Sequence, residues 1–191
     1  MKFIKKITFI IIFLSLNVNA FGAVSSLVGQ KNWGTGEQRQ PTGVIFNPDG
    51  TKMYSTGTVQ NKIYMYNLTT PFTVTTATYA SKLCSLTGDN DALMFRFNSD
   101  GTAIFVLDTK TTETIDKYSL TTAYDISNCS LVAGSPQDFG GGMEMRSFSF
   151  SNDGSKIFIF DQDGNNEKHS IKEYSLASSF DLSNPTLVTE Y

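Results

Sequence analysis

The stretch "FNPDGTKMY" occupies Phe46–Tyr54. It returns as "FNSDGTAIF" at Phe97–Phe105 and as "FSNDGSKIF" at Phe150–Phe158. Each copy carries Asp-Gly where a chain must reverse. Asp tolerates tight turn positions, and Gly supplies positive φ without a steric cost. The residues before the turn alternate. Val44/Phe46, Phe95/Phe97 and Phe148/Phe150 fall on one face, while Ile45, Arg96 and Ser149 fall on the other. That period of two is the mark of a strand. The segments after the turn, "KMYSTG", "AIFVLD" and "KIFIFD", read as the returning strands. The phrase is therefore a hairpin, written three times.

Two more signals follow each copy in the same order. "IYMYNL" from Ile63 matches "IDKYSL" from Ile115 and "IKEYSL" from Ile171. "FTVTTATY" from Phe72 then matches "YDISNCSL" from Tyr124 and "FDLSNPTL" from Phe180. The period is about 50 residues, within the range of propeller blades. Each repeat predicts a four-stranded antiparallel meander. A lone meander cannot bury both faces, so it must stack on a neighbour, and the shared Phe and Tyr positions are its packing. The fold class follows: all-β, three four-stranded antiparallel propeller-type blades, an incomplete propeller in one chain. The repeats span about residues 40–80, 91–132 and 145–190 within a domain of 40–191, preceded by a lead at 21–39. The "SLVGQ" near Ser26 is expected to supply the outer strand of the first blade.

The third copy, "FSNDGSKIFIFDQDGNNEKHSIKEYSL", resembles the WD40-like repeat of TolB-type propellers. The Asn-Pro-Asp-Gly-x-x-Met-Tyr of the first copy is similar to blades of lactonase-like and surface-layer propellers. The resemblance implies blade architecture from Gln40 to Glu190. Such blades serve binding scaffolds, lactonases and peptidase gate domains alike, so the fold leaves function open. Closed propellers hold four to eight blades. Three leave a ring open: two or more chains complete it, the chain is a fragment of a longer ancestor, or the blades stack openly, and an exposed Phe-rich blade face predicts self-association.

The first 20 residues read differently. Lys2, Lys5 and Lys6 precede the apolar run "ITFIIIFLSL", and Val18-Asn19-Ala20 closes with small residues. This is the pattern of a secretory signal peptide cleaved after Ala20, with an apolar run too short to span a bilayer. The expected location is periplasmic or extracellular. Without the leader the chain carries 12 Lys and Arg against 18 Asp and Glu, a balance that disfavours nucleic acid. Export makes a disulfide chemically possible for Cys84 and Cys129. The two fall at different phases of the repeat, which favours two buried thiols over a bridge.

Signals for chemistry are sparse. His169 is the single histidine and reads as a solvent-exposed residue of a hairpin loop, with no nucleophile elbow beside it. In "DQDGNNE", Asp161, Asp163, Asn165 and Glu167 alternate so that their oxygens would converge on Ca²⁺ in a tight loop. The spacing does not match an EF-hand, and an Asp-Gly turn with solvated acids explains the same residues. "FGGGMEMR" lacks the Gly-Lys-Ser/Thr of a phosphate loop and reads as a crossover between blades. It would carry Glu144 and Arg146 to the mouth of a central channel, with Asp89, Asp91 and Arg39 at matching places. An enzyme would set acids, amides or histidines at equivalent inner positions of successive blades. Here those positions hold Pro41-Thr42, Ala92-Leu93 and Met145-Arg146. The expectation is an exported, non-enzymatic binding or protein-interaction scaffold with no cofactor. The alternative is a lactonase-like hydrolase, or a piece of one, using a divalent metal at the channel mouth.

Overall fold

A computed structural model describes residues 29–33, 37, 39–87, 91–109, 113–139, 144–162 and 169–191. Its strands form three separate antiparallel sheets in chain order. The first holds β1 (Pro41–Phe46), β2 (Lys52–Gly57), β3 (Lys62–Leu68) and β4 (Ala77–Ser85). The second holds β5 (Ala92–Phe97), β6 (Ala103–Asp108), β7 (Thr114–Ser119), β8 (Ser130–Leu131) and β9 (Gln137–Asp138). Here β8 and β9 both pair with β7, so the outer strand is split. The third holds β10 (Glu144–Phe150), β11 (Lys156–Gln162), β12 (His169–Ser175) and β13 (Thr186–Glu190). These are three meander blades of an incomplete propeller. β4, and not the lead, is the outer strand of the first blade. The chain that follows β3 turns back and pairs there. Of that segment, Gly29 and Gln30 lie among the described residues and form no strand.

The repeated phrase closes each hairpin by one device. The Asp49 carboxylate accepts from the Thr51 N–H at 2.9 Å, Asp100 from Thr102 at 2.9 Å and Asp153 from Ser155 at 3.1 Å. Gly50, Gly101 and Gly154 follow at φ of 70°, 74° and 70°. The third signal explains why glycine is needed twice over. Phe72, Tyr124 and Phe180 lay their rings over these glycines, where a Cβ would meet ring carbons at 2.3–2.4 Å. Each aromatic N–H donates to the glycine carbonyl, at 3.0, 2.9 and 2.9 Å. The aromatic residues themselves take positive φ (55°, 59° and 57°), a strain held by that packing and that hydrogen bond.

Blades stack through two dry layers. Between the first and second, Tyr54, Ile63 and Met65 pack on Phe95, Ile104 and Tyr118. Between the second and third, Phe105, Leu107 and Ile115 pack on Phe148, Ile157 and Ile159. Tyr54 meets Phe97 edge to face with ring centroids 4.9 Å apart, and its hydroxyl donates to the Tyr124 carbonyl at 2.6 Å. At the next joint Phe105 stacks on Phe150 at 4.6 Å, and Lys117 donates to the Phe180 carbonyl at 2.8 Å.

Cys84 and Cys129 are bridged, with Cα atoms 5.6 Å apart, which corrects the reading of two thiols. Their different phases are what the joint requires. Cys84 sits on the outer strand of one blade and Cys129 just before the outer strand of the next, so the bond crosses between blades. Beside it Lys82 pairs with Asp125 at 2.5 Å. That ammonium brings the Asp125 carboxyl down to about 2.

Candidate functional site

The inner strands β1, β5 and β10 lie side by side where the blades converge. Thr42 donates its hydroxyl to the Ala92 carbonyl at 2.8 Å and ties β1 to β5. All three strands break register at the same place: between Pro41 and Gly43, Ala92 and Met94, and Met145 and Ser147. The extra residue is Thr42, Leu93 or Arg146. A bulge re-aims its extra side chain. The three bulges, with Val44, Arg96 and Ser147, line a shared cavity of about 470 Å³.

The residues singled out from sequence divide here. Arg146 and Glu144 come together as an ion pair, and the Arg146 Nε donates to the Gln162 Oε1 at 3.1 Å. Arg39 is held through its N–H at Gln60 Oε1, 2.8 Å away. Asp91 donates its N–H to the Asp108 carboxylate at 3.3 Å. Asp89 lies outside the described residues. So do Asp163, Asn165 and Glu167. Asp161 is buried, with one oxygen on Lys172 at 2.7 Å and the other without a partner among the described residues. His169 opens β12, paired with Gln162, rather than lying in the loop. It is exposed and stacks on Phe160 with ring centroids 6.2 Å apart. Among the described residues no three His, Cys, Asp or Glu side chains converge.

Arg96 is the residue that sequence reasoning passed over as the mere back of a strand. Its signal is an arginine at the inner position that holds Ile45 and Ser149 in the other copies. It is half-buried, and burial pulls its guanidinium below the ordinary value. Its Nη1 donates to the Phe95 carbonyl at 3.0 Å, and it makes no ion pair among the described residues. Arg96 reaches a second groove of about 200 Å³ between the hairpin turns of the second and third blades, beside Asn98, Ser149, Ser151, Asn152 and Phe180.

The end faces of the stack are unequal. Over the first blade lies the lead. Trp33 packs on Tyr66 at 5.1 Å, Lys31 sits 5.6 Å over the same ring, and the Tyr66 hydroxyl donates to Glu37 at 3.0 Å. Val44 and Phe72 on that side stay 55% and 58% exposed, though their counterparts Phe95, Phe148 and Phe180 are buried and Tyr124 is half-buried. On the third blade, Phe160 and Ile171 are 40% and 47% exposed. Their counterparts in the second blade, Leu107 and Ile115, are fully buried, as are Thr56 and Ile63 in the first.

No family model and no curated protein sequence matches the chain. Solved structures do match in fold. A candidate 6-phosphogluconolactonase from Bacteroides fragilis is 12% identical with a TM-score of 0.56, over 79% of this chain and 38% of its own. Another from Bacteroides uniformis is 15% identical with a TM-score of 0.52, over 78% and 39%. The Swd1 β-propeller domain from Myceliophteria thermophila is 12% identical with a TM-score of 0.51, over 78% and 42%. At such identities the likeness is one of fold. The chain spans about two fifths of the length of these structures.

Proposed function

We propose that this chain is an exported, non-enzymatic interaction scaffold that completes its ring with a second copy of itself. The observation that carries this is the apolar surface left exposed at both end faces. Val44 and Phe72 on one end, and Phe160 and Ile171 on the other, are exposed at positions whose counterparts are buried or half-buried inside the stack. The two ends are the two halves of the joint already made twice within the chain. Phe158 holds the place of Tyr54 and Phe105, and Phe46 holds the place of the Phe97 and Phe150 they stack on. Head-to-tail pairing of two copies would make six blades, inside the range of closed propellers. It would cover apolar surface that otherwise invites aggregation. The bridge between Cys84 and Cys129 supports export, because such bonds persist in oxidising compartments. Bland side chains at the bulges, Thr42 and Leu93, favour binding over hydrolysis.

Sedimentation of the mature chain at micromolar concentration tests the reading. The wild type should run as a dimer. Phe160→Asp with Ile171→Asp should give a monomer, and so should Val44→Asp on the opposite end. Mixing the two variants should restore pairing through the one joint each leaves intact. A monomeric wild type refutes the reading, and so does a dimer indifferent to Val44→Asp.

A further inference from the structure

An arginine half withdrawn from water is costly unless something answers its charge. Some cations of this chain are answered by acids. Lys172 has Asp161, Lys82 has Asp125 and Arg146 has Glu144. Arg96 has one backbone carbonyl. Its guanidinium stands where two spaces meet, the cavity lined by the three bulges and the groove between the turns of the second and third blades. The groove around it is lined by Asn98, Ser149, Ser151 and Asn152, of which Asn98 donates to Thr102 and Ser151 to Asp153 within their own turns. Arg146, on the rim of the larger cavity, adds a second cation whose charge Glu144 balances. Among the described residues no acid pairs with Arg96, and Phe180 walls the groove.

We propose that Arg96 anchors an oxyanion, the phosphate or carboxylate group of a small ligand, in the groove between the second and third blades. A guanidinium presents paired N–H groups that match such an anion along one edge. Low local polarity strengthens that contact relative to water. The alternating strand explains the placement. Phe95 and Phe97 take the face toward the first blade, so Arg96 must point toward the third. There the facing wall is the end of the third blade's inner strand and its turn, from Ser149 to Asn152.

The test is a titration of the ¹⁵N-labelled mature chain, followed by NMR, with inorganic phosphate and, separately, succinate at constant ionic strength. Saturable shifts should appear at the Arg96 Nε–H and the backbone N–H groups of residues 149–152. Arg96→Gln should weaken binding about tenfold or more, the factor one charge-assisted hydrogen bond carries. Arg96→Lys, which keeps the charge and loses the fork, should fall between. Saturation by one anion alone identifies which source the groove accepts. Shifts that never saturate, that chloride reproduces, or that persist in Arg96→Gln overturn the proposal. Should Arg96→Gln fail to fold by circular dichroism, wild-type affinity in Arg96→Lys overturns it equally. Repeating the titration in the Phe160→Asp/Ile171→Asp chain, which keeps the groove, separates failure of this site from failure of ring closure.

Discussion

Reducing the bond between Cys84 and Cys129 should destabilise the fold by about 4 kcal/mol, the loop-closure entropy released when a link across a loop of this size is cut. The residues it joins are 45 apart, and it is a crosslink between blades rather than within one. The unfolded reduced chain can therefore explore separations of the first two blades that the oxidised chain cannot. Cys84 is fully buried, so reduction in place tests the link with less confusion than truncation, which would also leave a small cavity. For a domain of this size the loss corresponds to roughly 10 °C in Tm. The assay is thermal unfolding by circular dichroism, with and without reductant, beside a Cys84→Ala/Cys129→Ala variant that reductant should not change. Intact mass under non-reducing conditions should fall short of the reduced mass by two hydrogens. A full-mass chain with two titratable thiols, or a melt shifted by less than about 2 °C, would refute the reasoning. So would a variant as sensitive to reductant as the wild type.

Two further perturbations follow from the turns. Gly101→Ala must hold alanine at φ 74° and drive its Cβ to 2.4 Å from the Tyr124 ring. It should cost more than about 2 kcal/mol by urea denaturation, whereas Gly134→Ala, at φ 81° with open space around it, should cost only the backbone strain of about 1 kcal/mol. Equal costs would show that the ring contact is not made. The turn and joint carboxylates also set an acid limit. Hydrogen bonds from Ser151 and Ser155 bring Asp153 down to about 2, Lys82 brings Asp125 down to about 2, and Asp49 and Asp100 are lowered by Thr51 and Thr102. Each is protonated more readily when unfolded, so its contribution is full above the unfolded value near 3.8 and fades as pH falls toward about 2. Stability measured by denaturant should hold level from neutrality to about pH 5 and then decline. Asp125→Asn should flatten part of that decline, and an unchanged acid limb would discount the Lys82 pair.

The repeats were legible because each blade rebuilds the same local chemistry. An Asp-Gly turn, an alternating strand and a capping aromatic occur within a few dozen residues, and local contacts leave local signals. The role of Phe72, Tyr124 and Phe180 was visible only as a recurring aromatic, since its partner glycine lies more than 20 residues earlier. The bond between Cys84 and Cys129 was misread for a related reason. A repeat reports what happens inside a blade, and this bond joins two of them. Arg96 read only as the other face of a strand because alternation cannot say whether that face meets water or the next blade.

The sequence by itself determined the blade, its turns and the number of copies, because those depend on contacts between residues close along the chain. Only the tertiary structure decided how the copies meet: which faces close over each other, where three bulges converge, that Arg96 makes no ion pair among the described residues, and that apolar side chains stay exposed at both ends. Those features depend on the angle and register at which one sheet stacks on the next. That geometry is fixed by side chains about 50 residues apart in sequence, the spacing of one repeat.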